Sequence, residues 1–463
     1  NPMANAASKA NLSPLTYVAY GGGNLAANLL VTTASTFITY FYTEQVGLSI
    51  GVAGAILAGC RVFDGITDLF MGAVVDKTKS RYGKARPWLL RLAIPYLLAC
   101  LMLFSSPMTG GIADIVYAVI SYVLAVCVIY TGISVPYNTL SMRITKHQGQ
   151  RTLLSVFRTF FGFGGAALVG SVSLKVVAAL GGGRMGWTLM GLVYGILGML
   201  LYLFTFKACK ELPDDFVLSN QDAEKKTKVV KTSTRESLHA LIHNKYWILL
   251  MTTTLLSFIS SGLTGVNVYY AQFILQSTDY MGLITLCSML PIMIGALGMA
   301  PLVSKFGGRN VCLVGSACSL TGCLIVMIHA TSPVFLGVGL VVKNLGASAL
   351  AVCGFSMMGD TVEYSDWKFH VRPDGLSYSA VTFGEKVGAA LGTVIVSGLM
   401  ASTGYIQKAE VQTDLALFGI KAIFLYIPII ISIISIVLMA FYDLDQKYDQ
   451  ILEDLKAHQA REE

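Results

Sequence analysis

The sequence predicts an all-α membrane protein of about twelve transmembrane helices, arranged as two related six-helix halves. Three observations predict it. Of 463 residues, 54% are apolar and only 13% charged, against about 25% charged in a soluble domain; the mean hydropathy is +0.65. The apolar runs are continuous and long enough to cross a hydrocarbon core of about 30 Å as helices, whereas a β-barrel strand would alternate apolar and polar residues. Lys and Arg are confined to alternate loops. Lys77–Arg86, Arg143–Arg151, Lys207–Lys245, Lys305–Arg309 and Lys368–Arg372 are basic, while TEQVGLS, SSPMTGGIAD, QSTDYMG and HATSP are nearly free of them. That alternation assigns the basic loops and both termini to the cytoplasm, and it accounts for the net charge of +7 without any nucleic-acid partner.

The expected spans run over about 15–43, 48–75, 88–106, 112–142, 152–180, 187–206, 246–275, 281–302, 310–330, 333–360, 375–403 and 415–442. An even number agrees with both termini on one side. The one long polar interruption, 207–245, separates an N-terminal half (1–206) from a C-terminal half (246–442). Its end, RESLHALIHNKYW, reads as a short amphipathic surface helix. The tail, 443–463, is polar with Ile451, Leu452 and Leu455 at helical spacing, and reads as a cytoplasmic helix. The halves echo each other: MGAVVDKTKSRYGKARPWLL and MAPLVSKFGGRNVCLVG both leave an apolar helix, cross a Gly-containing basic turn and re-enter the membrane. Related six-helix halves imply a transporter with its site at the bilayer midplane between them.

The second span carries RVFDGITDLFMG, residues 61–72. A charge at a helix centre costs about 2.5–3.5 kcal/mol on insertion scales, so Asp64 and Asp68 require a compensating partner. Their i, i+4 spacing places them on one face, which must look into the protein. Arg61 pairing with Asp64 as a structural salt bridge is the plainer explanation, but it leaves Asp68 unused. Two carboxylates one turn apart repel unless a cation or proton lies between them. Asp64 and Asp68 are therefore the candidate site for Na⁺ or H⁺, with Thr67, and Thr131 and Ser134 from the fourth span, as neutral oxygens.

Arg158 and Lys386 are further charges within spans, one in each half, and are candidates for substrate contact; Lys343 reads as a balancing charge. YGGGNLAANL has a GxGxxA spacing, but no strand precedes it, so a dinucleotide site is not expected; its glycines, like those of GFGGAALVG, suit close helix approach. His147, His239 and His243 fall in loops. The nine cysteines have no paired spacing and read as buried thiols. No nucleophile–base pair, zinc spacing or phosphate loop occurs, so an enzyme is not expected, and no cofactor beyond the coupling ion. NPMANAASKANLSP lacks a basic segment followed by a short apolar one, and no cleavable signal peptide is expected.

DGITDLFMGAVVDKTKSRYGKARPW resembles the signature of the glycoside–pentoside–hexuronide:cation symporter family, the family of the melibiose permease, within the major facilitator superfamily. GDTVEYSDWKFHVRPDGLSYSAVTFGEKVGAALG, YGGGNLAANLL and YTGISVPYNTL also fit, so the resemblance covers essentially the whole chain. It implies cation carboxylates at Asp64 and Asp68, an oxygen ligand at Thr131, a sugar-contacting arginine at Arg158 and lysine at Lys386. It also implies a small-molecule sugar and a coupling cation as partners; the lipid bilayer is a further expected partner, and the chain is expected to be a monomer in a bacterial cytoplasmic (inner) membrane. The sequence departs from the galactoside members: Asn28 and Ser134 stand where they carry acids, Thr67 replaces a cation-site asparagine, and Asn138 a tryptophan.

Removing two acids while keeping Arg158 and Lys386 makes the pocket more positive, and a guanidinium binds carboxylate or sulfonate bidentately. The expected function is cation-coupled symport of a sugar by alternating access, leaning to a hexuronide, glucuronide or sulfonated sugar. Asn24, Asn28, Tyr137, Asn138, Arg158 and Lys386 are the expected substrate residues. Asp76, Arg81, Lys84, Arg86, Glu363, Asp366 and Arg372 are the expected cytoplasmic latch. Alternatives are symport of a neutral glycoside or pentoside, a lysolipid transporter of the same fold, and a sugar sensor that does not transport.

Overall fold

The computed structural model describes residues 12–78, 80–145, 148–211, 234–371, 373–448, 450–451 and 453–454. Among them the chain forms twelve long helical stretches and a short one. The first is Pro14–Tyr40, continued by a π-helical segment Phe41–Val46. Its start is fixed locally: the Ser13 side chain accepts from the Thr16 backbone N–H at 3.3 Å, and Pro14 occupies the first turn, where its missing N–H costs nothing. The second is Ile50–Lys77. The third is split at Leu92 into Arg86–Arg91 and Ala93–Leu103. The fourth joins Ile112–Tyr122, the π-helical Val123–Tyr130 and Thr131–Ile144. The fifth and sixth are Gln148–Ala179 and Gly183–Ala208.

A short helix, Thr234–Ile242, stands where the amphipathic segment was expected. The seventh long helix starts at Lys245–Gly262 and runs on in mixed helical turns to Ile274. Met281–Phe306, Gly308–Ile328, Pro333–Phe369 and Asp374–Ser402 follow. The twelfth is Asp414–Lys421, Ala422–Tyr426 and Ile427–Ala440.

Ten of these are long and apolar enough to span a membrane on length and composition. The first helix is long enough, but its Asn, Thr and Tyr residues lower its hydropathy. The third offers only Ala93–Leu103 as an uninterrupted apolar stretch. The tenth helix overruns the expected end at 360 and reaches Phe369. Asp360, Glu363 and Asp366 end the apolar run but not the helix. Its last turns are held by side chains instead: the Tyr448 hydroxyl donates to Glu363, and Trp367 Nε1 donates to Asp454 Oδ2 at 3.1 Å. Ile451 is buried, so the described part of the C-terminal segment docks on its own unit.

The helices fall into two compact units, helices one to six and helices seven to twelve, with Tyr405–Gln412 from the last connection grouped with the first unit. There the Tyr405 hydroxyl donates to Glu44 Oε1 at 2.5 Å, and the Lys408 backbone N–H donates to the same oxygen at 3.3 Å. The packing inside the two units repeats. Helix one packs on five and six, two on four, and three on six; seven packs on eleven and twelve, eight on ten, and nine on twelve. The repeat anticipated from two loop sequences thus extends to these helix pairs. No disulfide joins the cysteines among the described residues, and seven of them are buried.

Candidate functional site for a cation and a sugar

On the second helix Val62, Ile66 and Phe70 form an exposed apolar stripe, while Asp64, Thr67 and Asp68 are half-buried on another face. The fourth helix brings Thr131, 2% exposed, against this face, and its hydroxyl donates to Asp64 Oδ1 at 3.1 Å. The Thr67 hydroxyl donates to the Asp64 backbone carbonyl at 2.9 Å. The π-helical segment Val123–Tyr130 immediately precedes Thr131; such segments locally re-aim side chains and concentrate at functional sites. Cys127 Sγ, within it, donates to the Cys60 carbonyl at 3.3 Å, so the two helices meet one turn from the carboxylates. Ser134 follows Thr131 by three residues, on the same side of the helix.

No ion pair joins Arg61 to Asp64 among the described residues, which weakens the salt-bridge explanation. Among the described residues no group of three or more His, Cys, Asp or Glu side chains could hold a metal. Two carboxylates with hydroxyl neighbours suit a proton or a hard monovalent cation instead.

The first and fifth helices carry the second cluster. Asn24 Nδ2 donates to the Arg158 carbonyl at 2.8 Å, Asn28 Nδ2 to the Asn24 carbonyl at 2.9 Å, and the Thr32 hydroxyl to Asn28 Oδ1 at 3.0 Å. Gly162 permits this approach, since a Cβ there would lie 2.3 Å from Asn24 Nδ2. Asn24 therefore fastens helix one to helix five while Asn28 bonds within helix one, and one N–H of each amide is already committed. The Arg158 guanidinium lies 5.8 Å from the centre of the Tyr137 ring. Tyr137 is buried, Asn138 exposed, and Lys386, on the eleventh helix, half-buried in the second unit.

The basic turns have a construction that sequence reading missed. Glu211, just past helix six, accepts from the backbone N–H groups of Lys84, Ala85 and Arg86 at 3.0, 2.9 and 2.7 Å. Its side chain is 3% exposed and lies 3.6 Å from Arg143 Nη1. Arg86 donates to the Phe206 carbonyl at 3.2 and 2.6 Å. The second unit repeats the arrangement. Asp445, past helix twelve, accepts from the Arg309 N–H at 2.9 Å, and Arg309 donates to the Met439 and Ala440 carbonyls at 3.3 and 2.6 Å. In each case a glycine at positive φ, Gly83 at 100° and Gly307 at 81°, turns the chain beside the carboxylate, a conformation other residues adopt only with strain.

The acid that holds the first basic turn is thus Glu211, whereas sequence reading sought partners in Asp76, Glu363 and Asp366. Glu363 accepts from Tyr448, and Asp366 is half-buried at the end of helix ten. Arg81 is exposed with its guanidinium 4.7 Å from the Tyr82 ring centre. Arg372 and the side chain of Asp76 lie outside the described residues, as do His147 and Leu455.

A family model described as MFS/sugar transport protein matches residues 19–446. The chain belongs to that family. It is 27% identical over 96% of its length to the isoprimeverose transporter of Lactiplantibacillus pentosus, covering 91% of that protein. It is 28% identical over 96% of its length to the glucuronide carrier protein homolog of Escherichia coli K12, covering 96% of that protein. In fold it is similar to the crystal structure of a D-xylose–proton symporter, with a TM-score of 0.64 at 16% identity, covering 94% of this chain and 98% of that one. A further relative in Escherichia coli K12, 26% identical over 96% of this chain and covering 95% of that protein, is named a putative glycoside/cation symporter. The chain is accordingly a multi-pass membrane protein of the major facilitator fold and a sugar symporter, not an enzyme.

Proposed function

We propose that the protein carries an anionic sugar, a hexuronide, glucuronide or sulfonated sugar, together with Na⁺ or H⁺ by alternating access, with both termini cytoplasmic. The observation that carries the coupling is the Thr131–Asp64 hydrogen bond one helical turn from Asp68. It gives one carboxylate of the pair a fixed neutral oxygen. Binding of a cation, or of a proton, removes the repulsion between the two acids. That change in charge is what the second helix transmits when sugar is present, and reciprocity requires each ligand to strengthen the other's binding.

On the sugar side, Asn24 holds the backbone of Arg158 in place and Asn28 braces Asn24, and Arg158 and Lys386 supply the positive charge. Glu211 and Asp445 hold the two basic turns at the ends of their own units. The domain division is 1–206, a middle loop 207–245, 246–442 and a tail 443–463. Similarity to a relative named for a glucuronide supports the anionic reading. Similarity to one named for isoprimeverose, a neutral sugar, supports the second reading, a neutral glycoside or pentoside. Uptake into vesicles of labelled glucuronide, competed by neutral glycosides and anionic sugars under separately imposed Na⁺ and pH gradients, decides between them. Competition by neutral sugars alone removes the anionic reading.

A further inference from the structure

Within the first unit, Tyr20 carries a buried hydroxyl that no described group uses. The residue is 1% exposed, and its Oη has no hydrogen-bond partner among the described residues. Buried polar atoms are nearly always satisfied, so an unsatisfied one asks what it is kept for. The ring cannot turn away: it stacks on Tyr137 with centroids 4.8 Å apart and planes 16° from parallel. Tyr137 is itself fixed, because its hydroxyl donates to the Tyr20 backbone carbonyl at 2.5 Å.

The polar neighbours of Tyr20 Oη are Arg158 and Ser141, neither in hydrogen-bonding geometry with it. Arg158 rests against the Tyr137 face and takes part in none of the ion pairs among the described residues. The Ser141 hydroxyl makes one long bond, 3.4 Å, to the Asn138 carbonyl. A membrane-spanning guanidinium without a carboxylate, a buried unpaired hydroxyl and a weakly engaged second hydroxyl therefore converge. Each lacks what an anion supplies.

We propose that Arg158, Tyr20 and Ser141 form the subsite for the anionic substituent of the transported sugar, lying wholly in the first unit; this rests on the anionic-sugar reading above. A carboxylate or sulfonate offers two or three acceptor oxygens. The guanidinium fork takes two of its lone-pair directions, and the two hydroxyls donate to the others. The hydroxymethyl of a neutral hexoside has one oxygen and no charge, so it leaves the guanidinium uncompensated and at least one hydroxyl unpaired. Selection against neutral sugars then follows from the groups left unpaired.

The test is isothermal titration of the purified full-length protein with methyl β-D-glucuronide, methyl sulfoquinovoside and methyl β-D-glucoside. The variants are Tyr20→Phe, Ser141→Ala and Arg158→Lys. Tyr20→Phe keeps the stacked ring and removes only the hydroxyl. It is expected to weaken binding of the anionic glycosides about tenfold, the scale of one hydrogen bond to a charged group, and to leave the glucoside within about twofold. Ser141→Ala should act in the same direction and Arg158→Lys more strongly. Equal weakening of all three sugars by Tyr20→Phe, or no weakening, makes Tyr20 a packing residue and overturns the subsite alone. Failure of the wild type to bind either anionic glycoside overturns the subsite together with the anionic reading.

Discussion

Glu211→Ala removes the acceptor of three backbone N–H groups at the start of the third helix. A buried donor left unsatisfied costs about 1–3 kcal/mol. These donors lie at a helix N-terminus that water can approach once the side chain is gone, so the lower end applies. Three of them sum to about 3 kcal/mol, roughly two decades in the local opening equilibrium. Glu211→Gln keeps one oxygen, which can still serve the Ala85 and Arg86 N–H groups as Oε1 does now. It loses the bond to Lys84 and the negative charge beside Arg143 and the positive end of the helix. Its cost is about 1–1.5 kcal/mol, roughly tenfold.

Hydrogen exchange read by mass spectrometry on peptides covering residues 80–92 measures this directly. Exchange of the Lys84–Arg86 amides should quicken about a hundredfold in the alanine variant and about tenfold in the glutamine variant, while peptides of the seventh to twelfth helices stay as they were. Wild-type exchange rates in Glu211→Ala would refute the reasoning, because the three bonds would then contribute nothing to holding the turn.

Two further outcomes follow from the cation site. Asp68→Asn should abolish uphill sugar accumulation driven by an ion gradient while sparing sugar counterflow in proteoliposomes, and unchanged accumulation would remove Asp68 from the site. Thr131→Ala deletes the hydrogen bond to Asp64 and should raise the cation concentration for half-maximal uptake about three- to tenfold; an unaltered cation dependence would leave Thr131 a packing residue.

Much of the helical scaffold was legible because a bilayer forces every backbone polar group into internal hydrogen bonds, so apolar runs and helices coincide. The reading failed where that coupling ends. The tenth helix continues past Asp360 because Tyr448 and Asp454, distant in sequence, hold its polar turns. The first helix is polar for a span because its asparagines bind the fifth helix and its own backbone rather than lipid. Asp64, Asp68 and Thr131 could be singled out as charges or hydroxyls inside apolar runs. Glu211 and Asp445 could not, since an acid just past a helix end looks like any solvated interfacial charge. The one available signal was that both halves place such an acid shortly after their last helix. Tyr20 was hidden for the opposite reason: a tyrosine in an apolar run looks like packing until its hydroxyl is seen without a partner.

The central claim is that sugar and ion cross together through the Asp64–Asp68 site. The most direct measurement is ion entry on adding sugar to de-energised cells or proteoliposomes, followed with a pH electrode in weak buffer and, separately, with radioactive sodium. The account predicts that sugar influx carries in one of the two ions in fixed proportion, and that Asp68→Asn loses this ion movement. Sugar entry at the wild-type rate with neither ion moving would contradict it.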